Sequence, residues 1–188
     1  SPKKSISNTS AKGNAVDMAD GTQLSFLPEP CYWRQIKDGD PVAFALFQRH
    51  YSYREYADGR RKRYGYANRR LIVGPGEKIV LIGTDGHALC CWRRGIDASS
   101  NGERRVYCTV FRNESEHKAS DILKAAMGIA WARWPNEPLW TYIDSRKVQS
   151  TIPGYCFYRA RWKHVGNTAT GLLIFSITPK GSTNEHTH

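Results

Sequence analysis

A strand–helix–strand pattern in the middle of the chain constrains the fold more than any other feature. The segment 104–113, RRVYCTVFRN, is typical of a strand, and the segment 139–144, LWTYID, is typical of another. Between them we predict a helix from Ser120, as its N-cap, to Trp134, just before Pro135. Apolar residues of this helix recur at helical spacing, namely Ile122, Leu123, Ala126, Ile129 and Ala130. Because one helix joins the two strands, we expect them to be parallel neighbours in a sheet.

Shorter elements surround this unit. A helix is predicted over 41–49, because Asp40 is a suitable N-cap and Pro41 suits the first helical position. Thr84-Asp85-Gly86 is a strong hairpin signal. The remaining predicted elements are strands at 71–73, 78–83, 88–93 and 171–177 and a short helix within 153–162. The predicted fold is therefore α/β, of the α+β kind, with a mixed, mostly antiparallel sheet, a central parallel pair and flanking helices.

The two ends of the chain differ in composition from its middle. Residues 1–28 are polar, small and aperiodic, so we expect a disordered N-terminal tail, and residues 180–188 are expected to form a flexible C-terminal tail. Residues 29–179 are predicted to form one ordered domain, interrupted by an irregular basic insertion at about 52–70.

The charge of the chain favours an anionic partner. Its net charge is +11, which suits nucleic acid, an anionic membrane surface or a phosphorylated ligand. No apolar run approaches the roughly 18 residues that cross a bilayer, and no signal-peptide pattern opens the sequence. We therefore expect nucleic acid or a phosphate-bearing cofactor rather than a membrane. The five cysteines include no C-x-x-C pair, so neither a disulfide framework nor a zinc ribbon is predicted, and a reducing cytoplasm is the expected compartment.

The segment 49–70 concentrates cations and tyrosines. It holds eight basic residues against two acidic ones, Glu55 and Asp58. Such a loop neutralises phosphates, and its aromatic rings can stack on a displaced base, although a charge run is also typical of a solvated loop. The predicted DNA-binding residues are Arg54, Arg60, Arg61, Lys62, Arg63, Tyr64, Arg69 and Arg70. A second basic group, Arg159, Arg161 and Lys163, extends the predicted track.

The turn before the central helix is a candidate anion site. A helix N-terminus presents free N–H groups, which attract phosphate. Many capped helix starts with nearby cations bind only water, and that alternative stays open. The residues predicted to bind a phosphate-bearing cofactor here are Arg112, Asn113, Ser115, Lys118 and Ser120.

Four motifs occur in a characteristic order: RHYS at 49–52, FRNES at 111–115, YIDSRK at 142–147 and PGYCFYRARW at 153–162. Together they resemble the Mom family of phage DNA-modification proteins, which are divergent members of the Gcn5-related N-acetyltransferase (GNAT) superfamily. The resemblance covers about residues 32–178. It implies a GNAT-like fold whose central parallel strands splay into a wedge, where acyl-CoA and acceptor meet. The superfamily's Q/R-x-x-G-x-G/A signature is absent from this sequence.

The resemblance also implies a function. Family members are transferases that place a methylcarbamoyl (carbamoylmethyl) group on the N6 amine of adenine in duplex DNA, which shields phage DNA from host restriction. The family's catalytic residues correspond to His50, Tyr51, Asp144 and Tyr155, and the same residues are the implied iron ligands. Asp144 or Tyr51 would serve as the base. The implied cofactors are iron and acetyl-CoA or a related acyl donor, and the implied compartment is the host cytoplasm.

Each of these residues has a structural alternative. His50 is also typical of a histidine at a helix C-terminus, Asp144 of a residue that caps a turn, and Tyr155 of a core aromatic. Two other functions stay open. One is a GNAT-fold acyltransferase that acts on a small amine, a protein or another modified base. The other is a non-catalytic DNA-binding module. The sequence does not decide between a monomer and a dimer.

Overall fold

The structure, a computed structural model, describes residues 31–53, 71–74, 76–96 and 101–179. Within these ranges the chain forms one sheet and the helices that pack on it. The elements, in chain order, are β1 (Trp33–Ile36), α1 (Pro41–Gln48), β2 (Glu77–Gly83), β3 (Ala88–Ile96), β4 (Arg104–Asn113), α2 (Ala119–Arg133), β5 (Leu139–Ile143), α3 (Tyr155–Arg159), β6 (Lys163–Asn167) and β7 (Leu173–Ile177). The predicted tails 1–28 and 180–188 and residues 54–70 of the predicted insertion lie outside the described residues.

The sheet has seven strands in the described residues, in the order β1-β2-β3-β4-β5-β7-β6. Only β4 and β5 run parallel among these, and every other neighbouring pair is antiparallel. The predicted fold class is therefore confirmed: the chain has a mixed, mostly antiparallel sheet with one parallel pair, flanked by helices. This arrangement is compatible with a GNAT-like α+β fold.

The parallel pair diverges soon after it begins. In the described residues its register covers three residue pairs, namely Val106–Leu139, Tyr107–Trp140 and Cys108–Thr141. Thr109 is then the extra residue of a bulge, because Cys91 of β3 pairs with Val110 while Trp92 pairs with Cys108. A bulge bends its strand away from the regular sheet. Beyond Thr109, β4 continues without β5, and a wedge opens between their C-terminal ends.

Helices cover both faces of the middle strands. α2 packs on one face, where Leu123 joins a cluster with Leu81 and Cys90, and α1 packs on the other face, where Leu46 joins a cluster that includes Cys91. Because successive strand residues point to opposite faces, strands covered on both sides are apolar throughout rather than alternating. This is why residues 79–82 of β2 and 88–92 of β3 are continuous apolar runs. No helix among the described residues is long and apolar enough to cross a membrane.

The two predicted helix starts have different outcomes. The start of α1 is confirmed, because Asp40 Oδ1 accepts hydrogen bonds from the Val42 and Ala43 N–H groups at 2.9 and 3.0 Å. The prediction that Ser120 caps α2 is wrong. The helix begins at Ala119 with Lys118 as its N-cap, and Ser120 is buried inside the first turn. Its side chain contributes to packing rather than to capping.

The predicted strand at 71–73 is also wrong. The N–H groups of Ile72 and Val73 donate to the Asp38 carboxylate at 2.7 and 3.3 Å, so a side chain takes the place of a strand partner. The Lys78 ammonium, 3.0 Å away, pairs with the same carboxylate. Conversely, β1 and β6 are strands that we did not predict. They are the two edges of the sheet, where short strands carry polar residues and lose the alternation typical of buried ones.

Candidate functional site

A cavity of about 580 Å³ lies in the wedge between β4 and β5. Its wall is formed by the end of α1, both diverging strands, the loop after β5 and the start of α3. The lining residues are Arg49, His50, Tyr51, Cys108, Thr109, Phe111, Arg112, Asn113, Thr141, Tyr142, Ile143, Lys147, Val148, Gln149, Gly154, Cys156 and Phe157. The bulge and the divergence of the strands thus create the space, and α1 delivers His50 and Tyr51 to it.

His50 is buried and electrically neutral in this wall. It follows the last turn of α1, and its N–H donates to the Phe47 carbonyl at 2.9 Å. Its Nδ1 accepts from the Ser52 N–H at 3.2 Å and lies 2.7 Å from Ser52 Oγ, so the remaining proton of the neutral ring is on Nε2. Burial, followed by the charge of Arg112, lowers the pKa of His50 to about 4. At neutral pH the imidazole therefore orients neighbouring groups without carrying charge.

Tyr51 presents its phenol to the end of β5. Its ring lies 4.4 Å from that of His50, centroid to centroid, and its hydroxyl donates to the Tyr142 carbonyl at 3.4 Å. Burial raises the pKa of Tyr51, and a backbone hydrogen bond with Asp144 opposes that shift. Because the phenol is protonated at neutral pH, it is suited to hydrogen bonding rather than to acting as a ready base.

Asp144 follows β5 and is held by a neighbouring arginine. Its carboxylate accepts from Arg146 Nε at 2.8 Å and Nη2 at 3.1 Å, and from the Arg146 N–H at 3.2 Å. These bonds lower the pKa of Asp144. The turn-capping alternative is thus present in the structure, with the Lys147 N–H closing the turn onto the Asp144 carbonyl at 3.0 Å. Asp144 contacts Tyr51 through its backbone, while Lys147 reaches the cavity.

Tyr155 lies apart from this group. It is 53% exposed at the start of α3, so it is not the core aromatic of the structural alternative, whereas the next two residues, Cys156 and Phe157, line the cavity. The structure thus brings His50 and Tyr51 together in the cavity wall, sets Asp144 behind Tyr51 and leaves Tyr155 outside.

The four implied iron ligands are not brought together in one group: His50 and Tyr51 line the cavity, Asp144 contacts Tyr51 through its backbone, and Tyr155 is exposed outside the cavity. Across the part of the chain that the structure describes, no group of three or more His, Cys, Asp or Glu side chains is placed to hold a metal. The iron site stays a prediction.

The predicted cofactor residues belong mainly to the structure of the β4–α2 turn. Asn113 Oδ1 accepts from the Ser115 N–H and hydroxyl at 3.0 and 2.6 Å, and Asn113 Nδ2 donates to the His117 carbonyl at 2.7 Å. Of the five residues, Arg112 and Asn113 line the cavity, whereas Ser115, Lys118 and Ser120 do not. An acyl-CoA site at this turn stays a prediction. The eight predicted DNA-binding residues between 54 and 70 lie outside the described residues.

A carboxylate that we did not predict ties the two sides of the site together. Glu114 accepts from Arg49 Nε at 2.8 Å and Nη2 at 2.7 Å, and it also pairs with Arg112. Arg112 in turn donates to the Arg49 carbonyl. The Arg49 guanidinium, followed by Arg112, lowers the pKa of Glu114 to about 2. The network joins the end of α1 to the end of β4, and so holds His50 and Tyr51 over the wedge.

The cavity wall is uncharged and its rim is cationic. Cys108 and Cys156 also line the wall, and burial raises the pKa of the Cys156 thiol to about 11, which keeps it protonated. Arg49, Arg112 and Lys147 lie at the edge, where Glu114 pairs with both arginines and the net charge stays positive. Such an arrangement suits a neutral group that is attached to an anionic carrier.

Gly154 is required for the shape of this wall, and Gly154→Ala is expected to lower the free energy of unfolding by about 2–4 kcal/mol. Its φ is +78°, and an added Cβ would lie 2.8 Å from Ile143 Cδ1 and 3.0 Å from Cζ of the fully buried Phe175. Denaturant unfolding measures the effect. Gly128→Ala is the matched control, because Gly128 lies inside α2 with open space around its Cβ position, and we expect it to stabilise by up to about 1 kcal/mol. Equal effects of the two substitutions would contradict the argument.

Comparison with known proteins adds no relative to this picture. No protein-family model matches the chain, and no curated protein matches it either. The geometry of the wedge and the charge of the chain are therefore the observations on which a functional assignment depends.

Proposed function

We propose that this protein is a phage DNA-modification enzyme, a transferase that places a methylcarbamoyl (carbamoylmethyl) group on the N6 amine of adenine in duplex DNA. The observation that carries the proposal is the cavity in the wedge, with neutral His50 and Tyr51 in its wall and three cations at its rim. Its volume, about 580 Å³, is within the range of small-molecule sites and can receive one nucleobase.

The acceptor must leave the base stack to enter this cavity. The N6 amine of adenine is engaged in base pairing inside B-DNA, so an enzyme that acts on it flips the nucleotide out at a cost of a few kcal/mol. An uncharged wall suits the neutral heterocycle, since no buried charge has to be compensated. Cations at the rim suit the phosphates on either side of the flipped nucleotide.

Tyr51 is the residue best placed to act on the amine. An exocyclic aromatic amine is a weak nucleophile, because its lone pair is delocalised into the ring. The Tyr51 hydroxyl donates to the Tyr142 carbonyl, and this bond makes its oxygen a better acceptor for an N6–H group. The hydrogen bond from the amine to Tyr51 would localise electron density on nitrogen as the new bond forms, and the N6–H bond would break with its proton passing to water. His50 supports this role by packing against the Tyr51 ring.

The transferred group needs a donor of its carbon atoms and a source of its amide nitrogen. Transfer of acetyl from acetyl-CoA would leave an acetyl group, so a further carbon–nitrogen bond-forming step must supply the amide nitrogen. Iron and an acyl-CoA donor, which the family resemblance implies, belong to the proposal as predicted cofactors. Since Tyr155 lies outside the cavity, the described residues do not present the four implied ligands as one iron site.

The test is the mass of the nucleosides in DNA from bacteria that express the protein. We expect a modified deoxyadenosine with the mass of the N6-carbamoylmethyl product, and unchanged deoxycytidine, deoxyguanosine and thymidine. DNA from the same host without the gene is the control. Unmodified adenine in cells that contain folded, iron-replete protein would contradict the proposal.

A GNAT-fold acyltransferase acting on a small amine is the second candidate. The bulged, splayed β4–β5 pair favours it, because that geometry can hold an acyl donor whatever the acceptor is. Purified protein incubated with acetyl-CoA and a panel of amines separates the two. Release of CoA with a small amine, together with unmodified host DNA, would favour this candidate.

A further inference from the structure

The described chain after Asp144 is entirely free of acidic side chains. From residue 145 to residue 179 it carries the cations Arg146, Lys147, Arg159, Arg161 and Lys163, and no aspartate or glutamate. Arg146 is engaged by Asp144. The last three, at the end of α3 and the start of β6, are exposed, and none of them pairs with a carboxylate of the described residues.

Two exposed rings accompany these cations, Tyr158 next to Arg159 in α3 and His164 next to Lys163 in β6. The Tyr158 ring of α3 meets the buried Phe175 ring of β7 edge-on at 4.8 Å, and the His164 ring of β6 lies 5.5 Å from the same Phe175 ring. α3 therefore packs over β7 next to the edge strand β6, which pairs with β7 in the sheet. Tyr158 remains 44% exposed, and His164 is exposed as well. We call this group the α3–β6 surface: Tyr158, Arg159, Arg161, Lys163 and His164.

Arg161 occupies a backbone position that favours glycine. It follows α3 in a Schellman motif, in which the Trp162 N–H donates to the Phe157 carbonyl and the Arg161 N–H to the Tyr158 carbonyl, both at 3.0 Å. Its φ is +72°, in the left-handed region, where a Cβ is unfavourable. A cation thus stands where glycine would fit the backbone better.

We propose that the α3–β6 surface binds the phosphate backbone of duplex DNA beside the cavity; this inference rests on the proposed function. Exposed cations that pair with no carboxylate of the described residues complement a polyanion. The Tyr158 hydroxyl is a further donor for phosphate oxygen. Because α3 also contributes Cys156 and Phe157 to the cavity wall, a duplex held by the end of this helix lies next to the space that receives the flipped base.

The test is fluorescence anisotropy with a short labelled duplex over a salt series. Three phosphate contacts contribute a slope of about 2.7 in the plot of log affinity against log salt. For the variant R159Q/R161Q/K163Q we expect a slope shallower by about that amount. The ratio of wild-type to variant duplex affinity should therefore grow roughly forty-fold as the salt falls from about 200 to about 50 mM. A slope equal to that of wild type would overturn the proposal.

Two control variants separate charge placement from total charge. R34Q/K37Q/R104Q removes the same charge from exposed residues at β1 and at the start of β4, and we expect a smaller change of slope. R159K/R161K keeps the charge and is expected to keep the slope. If both glutamine variants lose slope equally, net charge rather than this surface explains the binding, and the proposal is overturned.

Arg161→Gly provides an independent measurement. We expect its thermal midpoint to equal or exceed that of wild type while its duplex affinity falls, because glycine relieves the backbone and removes the charge. A lower midpoint together with unchanged affinity would give Arg161 a structural role and overturn its assignment to the surface.

The remaining outcomes distinguish this inference from the proposed function. Wild type that modifies adenine in cells, combined with a triple variant of unchanged slope, would refute the surface alone. Wild type that neither binds duplex nor modifies DNA would refute both. If the triple variant loses affinity only for single strands, or only for vesicles containing phosphatidylserine, duplex DNA is not the partner of this surface.

Discussion

Tyr51→Phe is expected to lower the rate of adenine modification by roughly 10²- to 10⁴-fold. The substitution keeps the ring that packs on His50 at 4.4 Å and removes only the hydroxyl that bonds the Tyr142 carbonyl. Without that oxygen, the proposed acceptor for the N6–H group is lost. The measurement is the initial rate of formation of modified deoxyadenosine, by nucleoside mass analysis on a fixed amount of purified protein and substrate DNA.

Two controls separate chemistry from folding and from DNA binding. The thermal midpoint of Tyr51→Phe should stay close to that of wild type, since the hydrogen bond from its hydroxyl to the Tyr142 carbonyl is long, at 3.4 Å, and its duplex affinity should be unchanged. Tyr53→Phe is the matched control: Tyr53 lies two residues away, packs against Phe47 and does not line the cavity. A Tyr51→Phe rate close to that of wild type would remove Tyr51 from the reaction centre.

The second large effect concerns stability in acid. His50 has a pKa of about 4 when folded, below its ordinary value of 6.5, so the unfolded chain binds the proton more readily. Its contribution to the free energy of unfolding is complete above pH 6.5 and is lost as the pH falls from 6.5 to 4. The loss amounts to about 3 kcal/mol. Denaturant unfolding at a series of pH values measures it.

His50→Asn isolates this contribution. Asparagine keeps an acceptor for the Ser52 N–H but does not titrate. We therefore expect the free energy of unfolding of the His50→Asn variant to vary less than that of wild type between pH 6.5 and 4. His87→Asn, at an exposed histidine, should follow wild type. Glu114 has a pKa lowered to about 2 from 4.5, so its own contribution is lost between pH 4.5 and 2. The two windows overlap only between pH 4 and 4.5, and identical curves for wild type and His50→Asn above pH 4.5 would refute the burial argument.

The elements that could be predicted from sequence are those whose signals are local. The unit β4–α2–β5 has strong periodicity, and the start of α1 has a cap and a proline in adjacent positions, so both were predicted almost to the residue. The strand β6 was missed because all its side chains are polar, small or exposed and a bulge interrupts it. The error at 71–73 has a long-range cause. The Ile72 N–H donates to the Asp38 carboxylate, which lies more than thirty residues earlier in the chain, and not to a neighbouring strand.

The site was predictable in part for the same reason. His50 and Tyr51 follow a helix whose end is visible in the sequence, and the structure places both in the cavity wall. Which residue of α3 faces the cavity depends on the phase of a short helix. That phase is set by the positive φ of Gly154, so Cys156 lines the wall and Tyr155 does not. The link from Glu114 to Arg49 spans 65 residues, and only the folded chain reveals it.

The short register of the parallel pair also has a mechanical meaning. Three residue pairs of β4 and β5 form the seam between two antiparallel blocks, one of β1 to β4 and the other of β5 to β7. Each block has its own ladders, but both contribute side chains to one hydrophobic cluster, Leu81 and Cys90 from the first block and Leu139 and Phe175 from the second. Packing therefore joins the blocks where strand pairing is short. The width of the wedge is thus set by a shared core rather than by the few hydrogen bonds of the seam.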